Sequence, residues 1–350
     1  MKKIFCVAIL ALVVGLAACG REEEIVVTDP EIVVHVQDPP MYEETTETPT
    51  AEEPTAQPQP SPIPAAENAG IHGFLSRIEY GNNVAYILGS MHVGRPHWFP
   101  LADIVEDAMA RSDVFAFEFD LRLFEDMAVI MYMMQYMALP DGQTLEDVLP
   151  PDVFEHFIAA LDTFPNVTYE MVANFTPAFA YYFITLNEGM PHMGVDAEYS
   201  VDYYVMAFAE AYGLPIIGLN DVFSEVAFLF DWPEEVAISA MAEFPDYQAL
   251  IGEVNEMDLA DAYENQDAAR IIELTINSLA ENLDTPHGRH TYEITVLARC
   301  MIFAEEIERL LRETEEPTTY FITIGALHVL YDHIFEMLEA NGLEVVCLWQ

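Results

Sequence analysis

Lysine is all but missing from this chain: Lys2 and Lys3 are the only two among 350 residues. Ten arginines are the other permanent cations, set against 60 Asp and Glu, and the formal net charge is −48. Without a basic patch there is nothing to neutralise phosphates, so nucleic-acid binding is excluded as a function class. The same charge repels anionic lipid headgroups and attracts divalent cations loosely, so weak metal binding alone would mean little. Cysteine is scarce too, at four residues. None of the four has the spacing of a cysteine metal site. Cys300 and Cys347 lie in apolar runs and are read as unpaired buried thiols, with a disulfide as the open alternative. Several catalytic signatures are also lacking: Gly-x-Ser-x-Gly, His-Glu-x-x-His and a Gly-rich phosphate loop. Serine hydrolase, zincin and nucleotide-binding readings therefore have no foothold.

What is present begins with a targeting segment. Lys2-Lys3 is followed by an apolar stretch, Ile4 to Gly15, too short to span a bilayer, and then by Leu16-Ala17-Ala18-Cys19. The last four residues resemble the lipobox of bacterial lipoproteins. That resemblance implies removal of residues 1–18, a lipid on Cys19, and a location on the extracytoplasmic face of the cell membrane, touching the membrane only through the anchor. The remaining chain carries 10 Arg against 60 acids, 10 − 60 = −50. Residues 19–70 hold nine of the 22 prolines and many acids, with too little apolar matter to offset ordering entropy. They are expected to be a disordered tether whose function is reach. The rest, 71–350, is the folded domain; with 52% hydrophobic residues in the chain it has matter for a sizeable core.

Within that domain the stretch from Val84 to Asp120 organises the chain. Its pattern is an apolar run, Gly89-Ser90-Met91-His92, a helix over Pro100 to Arg111, and a second apolar run, Val114 to Phe119, interrupted by Glu118. The reading is strand, tight turn at Gly89, helix, and a neighbouring buried strand, with His92 and Glu118 at the carboxyl edge of a parallel sheet, where open α/β sheets bind ligands. Gly325-Ala326-Leu327-His328 repeats the first half after another apolar run, Tyr320 to Ile324. Gly-x-x-His-Val-x-x-x-His fits both Gly89 to His97 and Gly325 to His333. Two such segments some 230 positions apart point to one shared site.

Met193 to Asp196 and Leu214 to Leu219 read as further strands, and Thr291 to Arg312 as one long amphipathic helix carrying Arg299. Leu121 to Leu139 reads as a Met-rich helix, buried or half-buried, with an apolar peptide groove as the functional alternative. The polar groups expected at strand ends are then His92, Glu118, Asp196 and His328. Two imidazoles with carboxylates and no thiolate suit a divalent metal such as Mn, Co, Zn or Fe. Such an ion supplies metal-bound water as a nucleophile. A free carboxylate can act as base, and Arg299 can orient a carbonyl. Ser90, Asp196, His97, His333 and Asp221 are candidates for outer positions around this set. His287 and His290, flanking a helix start, read as merely polar.

Taken together, Tyr86 to Gly94 with Phe99-Pro100-Leu101, Val114 to Asp120, Arg299 and Phe321 to His328 resemble the TraB/GumN (Tiki-like) family. The resemblance implies an EreA/ChaN-like α/β fold, a mixed central sheet flanked by many helices, with the two Gly-x-x-His segments facing one cleft. Tiki members are divalent-metal-dependent proteases that clip secreted peptides, and other members are linked to shutting down peptide pheromones. By resemblance, His92, His328 and Glu118 are metal ligands, and Glu118 and Arg299 catalytic or supporting residues. The implied function is a surface-anchored hydrolase acting on peptides or proteins. The alternative is a non-catalytic lipoprotein of the same fold that binds a peptide, or haem or iron. The chain departs from the family pattern at Ala298 and Cys300, at Asn220, and in Val329-Leu330-Tyr331-Asp332.

Overall fold

A β-hairpin opens the domain. Its apolar alternation and Gly81-Asn82 turn give β1 (Phe74–Tyr80) and β2 (Asn83–Ser90), paired antiparallel from Phe74 with Gly89 to Tyr80 with Asn83. The computed structural model describes residues 70–350 apart from 141, 193, 257–258, 278–281, 332 and 350. The leader, Cys19 and the tether lie outside the described residues.

Four more strands complete one sheet: β3 (Val114–Phe117), β4 (Ile216–Gly218), β5 (Thr319–Gly325) and β6 (Val345–Cys347). Their order is β4-β3-β5-β2-β1-β6. β2, β5, β3 and β4 run parallel, while β1 is antiparallel to both β2 and β6. The fold is therefore mixed α/β, with helices around a six-stranded mixed sheet. β5 lies between β2 and β3, so the two strands read as neighbours are separated by the last long strand of the chain. β5 is buried from its second residue to its last, covered on both faces as a central parallel strand must be. Phe115 and Phe321 sit side by side in register, and Phe208 of the Val201–Ala211 helix packs on Phe115.

Other elements differ from the sequence reading for local reasons. The stretch from 121 to 139 divides into a 3-10 turn, Leu121–Glu125, and a helix, Met127–Met137, because Asp126 caps the second piece by accepting from the amide of Ala128. That helix buries Val129 and Met133 and leaves Met127, Met131 and Met134 exposed. The long helix expected from Thr291 begins as a wide π-helical segment, Thr291–Ala298, and becomes α-helical at Arg299 (Arg299–Glu313). After β5 the chain forms two short helices, Ala326–Leu330 and His333–Ala340. Asp196 does not end a strand. It pairs with Gly94 in one isolated bridge and is the exposed cap of Ala197–Tyr199. Among the described residues no helix is long and apolar enough to cross a membrane.

Candidate functional site

The sheet register brings the site together. Ser90 of β2 is level with Gly325 of β5, and Phe117 of β3 is level with Thr323. His92 follows Ser90 by two residues and Glu118 follows Phe117 by one, so both leave the sheet at the edge where β5 ends. His328 comes back over that edge from the short Ala326–Leu330 helix. Gly325 marks the meeting point. A Cβ placed there would lie 3.3 Å from Glu118 Oε1, 3.5 Å from His92 Nε2 and 3.7 Å from His328 Cδ2. The side-chain-free position is thus the floor that all three groups surround.

Neither motif glycine serves as a left-handed turn, which corrects the expectation at Gly89. Gly89 lies within β2, and a Cβ on it would press to 3.1 Å from Ala326 Cα and from Phe74 Cβ. Its role is close approach: it lets the helix that carries His328 sit against the strand that leads to His92.

Each group is held by a buried partner. His92 Nδ1 lies 3.0 Å from Asp202 Oδ2. Ser90 and Ser200 donate their hydroxyls to the same carboxylate at 2.8 and 3.2 Å. Asp202, with the Glu118 charge behind it, outweighs desolvation and raises the His92 pKa above its ordinary value. Glu118 accepts from the Gly325 amide at 2.7 Å and is ion-paired to Arg299. Burial alone would raise its pKa, but Arg299, with help from the two histidines, brings it down to about 2. Arg299 also pairs with Glu225, 3.0 Å away, and Asn220 donates to the other oxygen of Glu225 at 2.9 Å. Burial and the nearby Glu118 hold Glu225 above the usual carboxylate range even so. His328 has no carboxylate behind it. Its Nδ1 is 3.2 Å from Cys300 Sγ, its ring stands edge-on to Phe303, and burial pushes its pKa down to about 3. Its Nε2 is a buried atom without a hydrogen-bond partner, 3.9 Å from Glu118 Oε1. His92 and Glu118 keep 5% exposure each and His328 none, so an incoming molecule meets the first two.

The TraB/PrgY/gumN family model matches residues 74–346, most of the chain and all of the sheet except one residue of β6. The chain belongs to the TraB/PrgY/gumN family. No curated protein and no solved structure matches it. Two of the departures noted in the sequence of this TraB/PrgY/gumN chain, Cys300 and Asn220, touch the cluster. Cys300 touches His328, and Asn220 anchors Glu225.

Of the outer candidates, only Ser90 reaches this family member's site, through Asp202. Asp196 accepts from the Glu198 amide, and Asp221 caps the Val222–Phe230 helix by accepting from Phe223 and Ser224. His97 pairs with Glu264 at 3.0 Å, and His333 lies 3.8 Å from Glu336, both on the surface. His287 and His290 are not solvated polar groups. His287 is buried against Tyr181 and Trp232, which lowers its pKa to about 4, and the Nε2 atoms of both lack a partner. Sequence reasoning missed Asp202, Glu225 and Cys300. The signal available for Cys300 was its place next to Arg299 on a helix facing the core.

A metal is implied by the family resemblance, and the residues can be weighed against it. Among the described residues no group of three or more His, Cys, Asp or Glu forms a ready metal cage. The donor chemistry does fit. Asp202 on His92 Nδ1 leaves Nε2 as the lone-pair nitrogen, the usual arrangement of a histidine ligand. His328 is neutral with an orphaned Nε2, and Glu118 Oε1 lies 3.9 Å from it.

Proposed function

We propose that this chain is a divalent-metal-dependent hydrolase acting on peptides, held outside the cytoplasmic membrane by a lipid on Cys19. The observation that carries the reading is the convergence of His92 Nε2, Glu118 Oε1 and the His328 ring on the space above Gly325. His92, Glu118 and His328 would hold the ion. When bound it supplies a Lewis acid, which polarises a carbonyl and makes water acidic near neutral pH. The other residues set this up. Asp202 fixes the His92 tautomer and ring plane. Arg299 holds Oε2 of Glu118 and keeps the carboxylate ionised, while Oε1, which accepts from the Gly325 amide, faces the shared space. With its pKa near 2, Glu118 suits a ligand better than a proton acceptor. The location rests on Leu16-Ala17-Ala18-Cys19 and is tested by a diacylglyceryl mass on the processed amino terminus.

The activity test is cleavage of a mixed peptide library, read by mass spectrometry. The protein is stripped with a chelator and reloaded with Mn, Co or Zn. Cleavage is expected only after reloading, and loss is expected in His92→Ala and His328→Ala. Equal cleavage by parent and both variants contradicts the reading.

A further inference from the structure

Away from the sheet edge the helical part of the molecule holds a cavity of about 520 Å³. Its walls come from the end of the Met127–Met137 helix (Gln135, Tyr136), the start of the Pro177–Gly189 helix, and the junction Phe230-Asp231-Trp232 with Glu234. None of the residues around Gly325 lines it. We infer that this cavity is a second binding site, for the cationic side chain of a peptide partner.

Two features of the walls carry the inference. The first is aromatic: Tyr136, Phe230 and Trp232 line one space, and ring faces attract a guanidinium or ammonium group. The second is charge. Asp231 and Glu234 line the same space; both are exposed to solvent, and neither carboxylate has a hydrogen-bond or ion-pair partner among the described residues. No Arg, Lys or His lines the cavity. Behind Trp232 the ring of His287 packs 5.1 Å away, and burial keeps that imidazole neutral at neutral pH, so no internal cation competes. Burial and the Tyr132 hydroxyl, with a smaller contribution from Asp231, hold the Tyr136 phenol protonated, which leaves the wall a neutral ring beside an anion. Two unpaired carboxylates among aromatic rings describe a receptor for one positive group on an alkyl stem, and the volume accommodates an arginine with its neighbours. The adjoining face of the same helix exposes Met127, Met131 and Met134, unbranched side chains that adapt to flanking apolar residues.

The test uses the full-length protein and a labelled pentapeptide, Ala-Leu-Arg-Leu-Ala, followed by fluorescence anisotropy. The control peptide has citrulline at the centre, which keeps the shape and removes the charge. The arginine peptide is expected to bind about tenfold more tightly than the citrulline peptide, a gap of about 1.4 kcal/mol. The double variant Asp231→Asn, Glu234→Gln is expected to bring the two peptides within twofold. Trp232→Leu is expected to weaken the arginine peptide more than the control. No binding, equal binding of the two peptides, or discrimination that survives in the double variant overturns the inference. Binding is read without any cleavage, so the outcome is independent of the hydrolase reading.

Discussion

The two Gly-x-x-His segments share a sequence pattern and a place at the sheet edge, yet their histidines live in opposite surroundings. His92 backs onto a carboxylate, Asp202, that is itself held by two serines, and its pKa is raised. His328 backs onto the Cys300 thiol and is driven down to about 3 by burial. Arg299 binds two buried glutamates, Glu118 and Glu225, through one guanidinium nitrogen. The difference teaches that the repeated pattern sets position, through strand register and a glycine that allows close approach. The neighbours, drawn from distant helices, set charge. A carboxylate-backed imidazole and a thiol-backed one are different reagents on one scaffold.

The largest effect is expected from removing what both halves share. Arg299→Met leaves Glu118 and Glu225 buried without a counter-charge and is expected to cost roughly 3–5 kcal/mol in urea unfolding. A loss below about 1 kcal/mol would show that the cluster is better hydrated than its burial implies. Next comes acid, which acts on the two histidines with opposite signs in the metal-free protein. His328 stays neutral when folded but takes a proton near pH 6.5 when unfolded, so its contribution is lost as pH falls from 6.5 toward 3. At about 1.4 kcal/mol per unit this is roughly 3 kcal/mol by pH 4. Glu118 adds to the loss below its unfolded value of 4.5, down to about 2. His92 runs the other way: its pairing stabilises fully below 6.5 and is lost as pH rises through its folded pKa. Urea midpoints between pH 8 and 4 are expected to fall on the acid side, with His92 blunting the fall.

Asp202→Asn isolates the first half. It is expected to cost about 2 kcal/mol, to lower the His92 pKa seen by NMR titration, and to leave His328 unmoved. Cys300→Ala isolates the second. It is expected to cost about 1 kcal/mol and to shift only the His328 ring signals. A shift of both histidines by either variant would break the division between the halves.

Much of this was legible in the residues. The parallel strands and the approach of His92, Glu118 and His328 to one edge followed from apolar runs ending in Gly-x-x-His or a lone Glu. The strand order was not, because β2 and β3 carry no sign that β5 inserts between them. Asp202 was missed because Ser200-Val201-Asp202 looks like an ordinary cap followed by a first-turn acid, the commonest solvated pattern. It is buried here because the Val201 amide donates to the Met91 carbonyl and ties that helix start under His92. Glu225 sits the same way in the first turn behind Asp221. Asp196 erred in the opposite direction: a carboxylate after an apolar triplet looked like a strand end and is a surface cap.

The central claim is that both segments serve one ion, and a Co(II) titration of the metal-free protein tests it most directly, with tight binding counted above the loose background of so acidic a chain. The account predicts one tight equivalent that disappears in His92→Ala and equally in His328→Ala, and persists in His97→Ala and His333→Ala. Tight binding that survives in either of the first two, or that behaves alike in all four, contradicts it.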